Sequence, residues 1–368
     1  MEKKKILFLS CTLCIGGIET ALINLLNNID YNKYDVTLLL EKKEGELLDK
    51  VNKNVKLYNY NICTSRNVIY RKIINFIKRL KFILTSYKKY DFSVCYATYS
   101  KPCSLLCLKS SNNTAIYIHG DYVQEFNDSK MAISFFENQD IYSFKNIIFV
   151  SNESRDNLVN LMPEIKSKSI VINNFINYKE IIKLSEKNIK EEKPKNKTLL
   201  LYVGRLDENV KRTSKMIDVT EYLINNNINV EFWILGDGND YNLYKKIITE
   251  RHLENSVKLL GKKLNPYPYI KLCDYLIITS DHEGFPVTFL EAICLNKNII
   301  STIAVSDDEI DLNVYGNIVS KDIDTMKSQV YDIVKNGKNN KVNVDFDKIN
   351  NSRMKKIEKI FEGDFHEV

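Results

Sequence analysis

The sequence predicts an α/β protein made of two doubly wound domains, each built around a parallel sheet. Strand-like apolar runs alternate with helical stretches, which is the pattern of βαβ units. This alternation stops once, in a charged segment near the middle of the chain, and then starts again. The chain has 368 residues, of which 44% are hydrophobic, so it can form two cores. Ligands of such sheets bind outside the carboxyl ends of the strands, and we expect the two sets of strand ends to face each other across a central cleft.

The first domain is assigned to residues 1–184. Its candidate strands are Lys5–Leu9, Val36–Leu40, Val55–Tyr58, Phe92–Tyr96, Ala115–Ile118, Asn146–Val150 and Ser169–Ile172. The segment that follows, 185–197, has many charges, one proline and no apolar periodicity. It is therefore expected to be a linker.

The second domain is assigned to residues 198–348. Its candidate strands are Thr198–Val203, Val230–Leu235, Val257–Leu260, Tyr275–Thr279, Ile299–Ser301 and Asn317–Val319. Charged and apolar positions then alternate from Ile349 to Glu362, which predicts a helix. We treat 349–368 as a C-terminal helical segment that could pack back on the first domain.

Charge and composition narrow the classes of partner. The formal net charge is +6 and the pI is about 8.6, which favours anionic ligands. Basic residues are dispersed and form no recognised nucleic-acid-binding motif, so nucleic acid is not an expected partner. The apolar run from Ile6 to Leu9 is too short for a signal peptide, and no segment approaches the length of a membrane-spanning helix. The chain is therefore expected to remain in the cytosol.

Eight cysteines are scattered through predicted strands and helices. Cys11-Thr-Leu-Cys14 resembles a redox dithiol, but no second cysteine pair completes a zinc site. In a reducing compartment, cysteines of this kind are mostly buried apolar side chains. We therefore expect neither a metal nor a redox role.

Gly16 and Gly17 follow the first predicted strand and begin a helix. Glycines there allow a tight turn and let backbone N–H groups approach a phosphate. The alternative interpretation is an ordinary strand–helix turn. The pattern is not G-x-G-x-x-G, which argues against a standard dinucleotide dehydrogenase.

Val203-Gly-Arg-Leu206 follows the first strand of the second half, and Lys211-Arg212 comes shortly after it. Cations beside a strand end suit a bound diphosphate, because charge-assisted hydrogen bonds contribute roughly 1.5–3 kcal/mol each. A solvated basic loop is the alternative.

The segment from Glu283 to Ala292 (EGFPVTFLEA) follows another apolar strand. Pro286 is expected as the first residue of a helix, because its missing N–H costs nothing there. The preceding turn and the helix dipole would face an anion. Glu283 lies before the turn and Glu291 in the second helical turn, so two carboxylates could bracket a ligand. The alternative is that Glu291 is only a surface residue.

The order of these motifs, together with Gly236-Asp-Gly238 after a central strand, resembles the retaining GT-B glycosyltransferases that build bacterial capsule, lipopolysaccharide and teichoic-acid glycans. The resemblance covers nearly the whole chain and is densest from Leu200 to Ala292. It implies a GT-B fold, with two Rossmann-like domains and a nucleotide-sugar donor. The glycine turn is interpreted as mainly structural.

The resemblance also implies roles for residues that bind the donor phosphates. Gly16 and Gly17 would contribute backbone contacts, and Arg205 and Lys211 would neutralise the diphosphate. The family's usual Lys-Gly is Lys211-Arg212 here, so the glycine contact is lost.

Further roles implied by the resemblance concern the sugar and the nucleoside. Glu283 would hold donor-sugar hydroxyls and is one of two residues implied as catalytic, while Glu291 would bind the ribose hydroxyls. Lys262 lies where the family's backbone meets the nucleobase. Backbone contacts would come from Gly284, Phe285, Pro286 and Val287.

His119, at the end of a first-half strand, is the second residue implied as catalytic, because related enzymes often place a His or an acid near the donor sugar and acceptor. A structural histidine is the alternative. Asp121 could orient His119 or touch the acceptor. Asn174 and Ser151 match family positions that we interpret as structural.

By the same resemblance, no metal and no cofactor are expected, because cations and a helix dipole supply the positive field. The expected donor is a UDP-hexose or UDP-N-acetylhexosamine, and the expected acceptor is a glycan, a lipid-linked saccharide or a surface polysaccharide. Two rival functions stay open: a nucleotide-sugar epimerase on the same fold, and a non-catalytic subunit of a two-chain transferase.

Residues 70–90 predict a basic amphipathic helix. One face carries five apolar side chains, namely Ile73, Ile74, Ile77, Leu80 and Leu84. Lysines and arginines cover the remaining surface. Such a helix either packs on the first sheet or attaches to the anionic inner face of the cell membrane.

Overall fold

The computed structural model describes residues 2–304, 307, 309–310, 316–337 and 344–364. The chain divides into two compact units. The first comprises Met1–Ile176 together with Asp347–Val368, and the second comprises Asn177–Phe346. Each unit has its own parallel sheet.

The sheet of the first unit has the order β3-β2-β1-β4-β5-β6-β7, and its strands pair in parallel. The strands are β1 (Lys4–Ser10), β2 (Tyr34–Leu40), β3 (Lys56–Asn59), β4 (Phe92–Cys95), β5 (Thr114–Ile118), β6 (Asn146–Phe149) and β7 (Ser169–Val171). The strand order reverses between β1 and β4, so this is a doubly wound sheet with its binding edge at the carboxyl ends.

Helices cover this first sheet. They are α1 (Gly17–Asn28), α2 (Val68–Ser86), α3 (Lys101–Ser110), α4 (Tyr122–Phe126), α5 (Ser129–Asn138) and α6 (Asn152–Leu161). Several begin at residues whose side-chain oxygen accepts from the first-turn backbone, as Ser100 does for α3 and Ser151 for α6.

The second sheet has the order β10-β9-β8-β11-β12-β13, again with parallel pairing. Its strands are β8 (Thr198–Val203), β9 (Val230–Leu235), β10 (Val257–Gly261), β11 (Tyr275–Ile278), β12 (Asn298–Ser301) and β13 (Gly316–Ile318). The helices of this unit are α7 (Tyr178–Ser185), α8 (Glu208–Lys211), α9 (Ser214–Asn225), α10 (Tyr241–Glu250), α11 (Tyr267–Leu272), α12 (Val287–Cys294) and α13 (Ile323–Asn336). Every strand predicted from the sequence is present.

The boundary between the units differs from the predicted one. Helix α7 falls within the predicted first domain, yet it packs on α11 and α12 of the second unit. The segment 185–197 is irregular as expected, but it is not a free spacer. Within it, Glu191 accepts hydrogen bonds from Lys263 (2.8 Å) and Tyr269 (2.7 Å), so these contacts fix the segment to the second unit.

Helix α14 (Phe346–Glu362) returns to the first unit. The ring of Phe361 lies 5.4 Å from that of Tyr34 and 5.3 Å from that of Phe92. Arg353 is fully buried, and its guanidinium donates to the carbonyl oxygen of Asn174. These contacts make the C-terminal helix part of the first unit's core. Among the described residues, no helix combines the length and apolarity needed to cross a bilayer.

Candidate active site

The loops at the carboxyl edge of the second sheet are hydrogen-bonded to one another. Gly236 after β9 donates to the carbonyl of Gly261 on β10 at 3.0 Å. Leu206 after β8 donates to Asp237 at 3.0 Å, and Asp281 after β11 donates to Val210 at 2.9 Å. Four loops therefore form one continuous surface at the edge where ligands bind in parallel sheets.

Two glycines allow the closest of these approaches. A Cβ atom at Gly236, whose φ is +155°, would lie 1.8 Å from the carbonyl oxygen of Gly204. A Cβ atom at Gly238 would lie 2.2 Å from that of Leu206. Any side chain at either position would displace the loop that carries Arg205, so this glycine turn has a structural role.

Lys211 and Glu283 meet at this edge. Lys211 ends α8, its carbonyl accepts from the hydroxyl of Thr279 (2.7 Å), and its ammonium bonds Oε1 of Glu283. The same oxygen accepts from the hydroxyl of Ser280 at 2.6 Å. Only 20% of the Lys211 side chain and 17% of the Glu283 side chain are exposed. Oε2 of Glu283 has no hydrogen-bond partner among the described residues, so it can accept from a ligand.

Arg212, where the family has glycine, has a left-handed backbone with φ of +49°. This conformation explains a glycine preference at the position, because a Cβ atom makes it cost roughly 1–2 kcal/mol. The Arg212 side chain pairs with Asp281 (Nε–Oδ2, 2.6 Å). Burial alone would raise the pKa of Asp281, but the ion pairs with Arg212 and Lys215 hold it below its usual range.

Arg205 extends from the same edge into solvent. Its side chain is 67% exposed, and Nη2 lies 3.3 Å from Oδ2 of Asp207. The hydroxyl of Tyr202 donates to the Arg205 carbonyl at 2.8 Å. The pKa of Tyr202 is raised, mainly by burial and further by the charge of Glu283, whereas the charge of Arg205 lowers it. Glu283 and Arg205 therefore both lie within electrostatic reach of one phenol.

The start of α12 lies directly after Glu283 and Gly284. Pro286 is the N-cap residue, and Val287 is the first helical residue, so the helix begins one position later than predicted. No side chain caps this end. The amides of Val287 and Thr288 have no acceptor among the described residues and are available to an anion. Pro286 has no N–H and cannot supply the amide contact expected of it, and Phe285 is buried.

Glu291 lies one turn further along α12 and is 5% exposed. It accepts a hydrogen bond from the hydroxyl of Tyr267 at 3.2 Å. Burial raises the pKa of Glu291 to about 7, although the Tyr267 hydrogen bond opposes the shift. Glu291 is therefore a buried acid with one partner, and the interpretation as a surface residue is wrong.

Lys262 is exposed at the end of the edge strand β10. In the sheet, β9 lies between β10 and β8, so the end of β10 is roughly 10 Å from the strand that leads to Arg205. Lys262 shares the carboxyl edge with the other predicted residues but stands at its periphery.

In the first unit, Gly16 is the N-cap residue of α1 and Gly17 its first residue. The carboxylate of Glu19 folds back over this helix start. It comes so close that a Cβ atom at Gly16 would lie 2.4 Å from Oε2 of Glu19. The hydroxyl of Tyr99 donates to the other oxygen of Glu19 at 3.2 Å. A protein carboxylate thus lies beside the position predicted for a donor phosphate.

His119 follows β5 and its ring stacks on that of Tyr117, with centroids 5.5 Å apart. Nε2 lies 3.0 Å from the carbonyl oxygen of Tyr96 and therefore carries the proton. Burial lowers the pKa of His119 to about 3, against the effect of that carbonyl, so the ring is neutral at pH 7 and Nδ1 can accept. Asp121 does not orient it: its oxygens accept from Gln124 (3.2 Å) and Asn157 (2.7 Å).

Sequence reasoning missed three side chains that shape the second-unit site: Thr279, Ser280 and Tyr267. Ser280 could have been suggested by its position three residues before Glu283 at the end of an apolar strand. Tyr267 is 24 residues away from Glu291, and no local pattern links them.

Comparisons with known proteins agree with this arrangement. Residues 185–344 match the family described as glycosyl transferases group 1, and residues 15–180 match Glycosyltransferase Family 4. Together the two matches span most of the chain.

Two curated relatives are similar over parts of their length. An uncharacterised glycosyltransferase of Methanocaldococcus jannaschii is 25% identical over 276 residues, which is 72% of this chain and 65% of the relative. The capsular polysaccharide biosynthesis glycosyltransferase CapH of Staphylococcus aureus is 31% identical over 174 residues, or 46% of each chain. The alignments thus span less than two thirds of the length of either relative.

A solved structure supports the fold over the full length. A variant of Staphylococcus aureus TarM, crystallised with Fondaparinux, alpha-GlcNAc-glycerol and UDP, superposes with a TM-score of 0.70. The superposition covers 99% of this chain and 98% of TarM, at 14% sequence identity. The chain thus has two doubly wound parallel sheets and the GT-B fold, and its second and first halves match the models of two glycosyltransferase families, group 1 and Family 4.

Proposed function

We propose that this protein is a retaining, metal-independent glycosyltransferase that moves a hexose or N-acetylhexosamine from a UDP-sugar to a glycan, lipid-linked or surface-polysaccharide acceptor. The observation that carries the proposal is the Lys211–Glu283 pair beside the uncapped start of α12. The chain places a cation, open backbone amides and a carboxylate with one free oxygen within a single stretch of the sheet edge. The donor is suggested by the UDP bound to TarM.

The donor diphosphate would lie against Lys211, Arg205 and the amides of Val287 and Thr288. Preorganised cations and amides stabilise the negative charge that develops on a leaving nucleoside diphosphate. Gly16 and Gly17, at the start of α1, would offer backbone contacts to a donor phosphate once the carboxylate of Glu19 moves aside. In this proposal the protein's own groups supply the whole positive field.

The two acids of the second unit would bind the two sugars of the donor. Glu283 is fixed through Oε1, so Oε2 would accept from hydroxyls of the transferred sugar. Glu291 would accept from the ribose hydroxyls, and Tyr267 would keep its carboxylate in place. Ribose binding can be tested with UDP and 2′-deoxy-UDP on wild type and Glu291→Gln: the two deletions should be strongly non-additive if they remove the same hydrogen bond.

For the transfer step we propose attack on the face from which UDP departs. The acceptor hydroxyl would form a bond to the anomeric carbon as the bond from that carbon to the phosphate oxygen breaks. The hydroxyl proton would pass to a phosphate oxygen of the departing UDP. His119, neutral and with Nδ1 free to accept, would position a hydroxyl group and would not supply a proton.

The proposal is tested by incubating the full chain with a panel of sugar nucleotides. A specific donor should raise the melting temperature by mass action, and UDP should be released in the presence of an acceptor. NMR of the product should show the anomeric configuration of the donor. Inverted product would overturn the retaining mechanism, and interconversion of sugar nucleotides without UDP release would favour the epimerase. Binding without turnover over a broad acceptor panel would favour a non-catalytic subunit.

We also propose that α2 attaches the enzyme to the anionic inner face of the cell membrane. Six apolar side chains of α2 form an exposed stripe: Ile69, Ile73, Phe76, Ile77, Leu80 and Leu84. Ile69 is 73% exposed and Leu84 is 74% exposed, while Phe82 and Ile83, which are not part of the stripe, pack against the core of the first unit. The helix therefore packs through residues outside this stripe.

The charge around the stripe favours an anionic bilayer over a water-soluble partner. Residues 66–90 contain eight lysines and arginines and no aspartate or glutamate. Lys72, Lys81, Lys88 and Lys89 are exposed. An apolar face bordered by lysines is typical of helices that lie in the membrane interface, and such a position would bring the site to a lipid-linked acceptor.

A further inference from the structure

Three side chains of types that can bind metal ions, far apart in sequence, meet in the first unit. Cys11 follows β1, Glu41 follows β2 and Cys103 lies in the first turn of α3. The two Sγ atoms and a carboxylate oxygen all lie within 4.8 Å of one another. We call these three residues the Cys2Glu cluster.

The geometry of the Cys2Glu cluster suits a tetrahedral cation. With Zn–S distances of about 2.3 Å and Zn–O of about 2.0–2.2 Å, tetrahedral ligand atoms lie roughly 3.6–3.8 Å apart. Sγ of Cys103 is 3.7 Å from Oε1 of Glu41. Only a small contraction would bring the three donor atoms to bonding distance.

The charge balance of the cluster points the same way. Glu41 is only partly exposed, and among the described residues no lysine or arginine forms an ion pair with it. Its hydrogen bonds come from neutral groups, the hydroxyl of Ser100 and the thiol of Cys103. Buried charges are normally paired or bind a metal, and the groups beside this partly buried carboxylate are two thiols and the phenol of Tyr60.

The ligands are held by secondary structure before any metal binds. The amide of Glu41 donates to Ser10 (3.1 Å) and that of Lys42 to Cys11 (3.0 Å), which ties the ends of β1 and β2 together. The hydroxyl of Ser100 accepts from the amide of Cys103 at 3.2 Å while it bonds Glu41. This second layer of hydrogen bonds orients two of the three ligands.

We propose that Cys11, Glu41 and Cys103 bind one Zn²⁺, with water as the fourth ligand. Binding forms two Zn–S bonds and one Zn–O bond and releases the two thiol protons to solvent. The metal would fix the loop that leads from β1 to Gly16 at the start of α1. Its role is structural, separate from the transfer step, and it revises the expectation that the cysteines bind no metal. Cys14, which the sequence pairs with Cys11, is exposed and lies outside the cluster.

The test uses the full chain, stripped with a chelator and titrated with Co²⁺ as a spectroscopic probe. Wild type should bind one equivalent, with a thiolate-to-cobalt charge-transfer band and the visible bands of tetrahedral cobalt, and Zn²⁺ should displace it. Cys11→Ser and Cys103→Ser should lose the band, and Glu41→Gln should weaken binding by at least about tenfold. Zn²⁺ should also raise the melting temperature of wild type and of the matched control Cys14→Ser.

Three results would overturn the proposal. One is the absence of a thiolate band in wild type, and another is a band that survives in Cys11→Ser. The third is loss of the band in Cys14→Ser with retention in Cys103→Ser, which would assign the metal to the Cys11–Cys14 pair. Cys103 is buried and its variant can misfold, but Cys11 is partly exposed, so its variant keeps the test decisive.

Discussion

The ammonium of Lys211 and the hydroxyl of Ser280 both bond Oε1 of Glu283. Lys211, at the end of the short helix α8 that follows β8, is thereby joined to a carboxylate that follows the neighbouring strand β11. The pairing orients Glu283 and keeps Lys211 at the sheet edge before any donor binds. Preorganisation of this kind lowers the cost of assembling charges around a transition state.

Replacement of Lys211 by alanine is expected to reduce kcat/KM for UDP-sugar by roughly 10²–10³-fold, because one preorganised donor to the developing charge is lost. The same change leaves Glu283 without its cation. Lys246→Ala is the matched control, since Lys246 is an exposed lysine on α10 paired with Glu250. Steady-state kinetics on both variants provide the measurement, and equal losses would argue against a role for Lys211.

Glu291 should make stability depend on pH. Its pKa is about 7 in the folded protein, whereas an ordinary glutamate, as in the unfolded chain, has a pKa of 4.5. The folded state therefore retains the proton to higher pH. The free energy of unfolding should therefore fall as pH rises from about 4.5 to 7 and level off above it, by up to about 3 kcal/mol.

Urea unfolding of Glu291→Gln and wild type at a series of pH values checks this. The variant should lack the component of the slope that Glu291 contributes. Glu250→Gln, at an exposed helical position, should keep the wild-type slope. Identical profiles for Glu291→Gln and wild type would show that the buried carboxyl titrates normally.

Arg212 allows the cost of its left-handed backbone to be separated from its ion pair. Arg212→Ala loses the pair with Asp281, worth at most about 1 kcal/mol at this exposure, and keeps the strain. Arg212→Gly also loses the pair but relieves roughly 1–2 kcal/mol of strain. Urea midpoints should therefore place the glycine variant above the alanine variant. The reverse order would mean that the backbone conformation carries no strain.

Much of the fold could be predicted because each strand is a short apolar run between turn residues. The domain boundary could not be, because α7 resembles any other amphipathic helix and only its contacts with α11 and α12 assign it to the second unit. Likewise, the charges of 185–197 suggested a solvated linker, whereas Glu191 is held by Lys263 and Tyr269.

The site shows the same division between local and long-range information. Motif order brought Arg205, Lys211, Glu283 and Glu291 to one sheet edge, because they follow adjacent strands. It gave no sign that Tyr267 contacts Glu291 or that Cys103 lies beside Cys11, because those contacts depend on how helices pack on the sheet. The sequence also suggested Asp121 as a partner of His119, but Asp121 caps α4 instead.

The pH profile of turnover should contain no limb from His119. With a pKa of about 3, its ring stays neutral from pH 5 to 9, and Nε2 stays bound to the Tyr96 carbonyl. His119→Asn should therefore lower kcat without moving the acid limb of the profile. A limb near pH 6.5 that disappears in the variant would show that His119 titrates near its ordinary value and acts in proton transfer.

Vesicle co-sedimentation tests the stripe on α2 and separates its two contributions. Wild type should bind vesicles that contain anionic lipid and bind neutral vesicles weakly, since each lysine near an anionic surface contributes about 1 kcal/mol. Lys72→Glu with Lys81→Glu, at exposed positions, should abolish most of the binding to anionic vesicles. Ile73→Ser with Ile77→Ser should weaken binding to both kinds of vesicle, because it removes apolar area that the bilayer would bury.

The matched control is Lys245→Glu with Lys246→Glu, a pair of lysines on α10 far along the chain from α2. This double variant should bind as wild type does. If the α2 variants bind as tightly as this control, the stripe faces something other than a bilayer, and the acceptor must reach the site by another route.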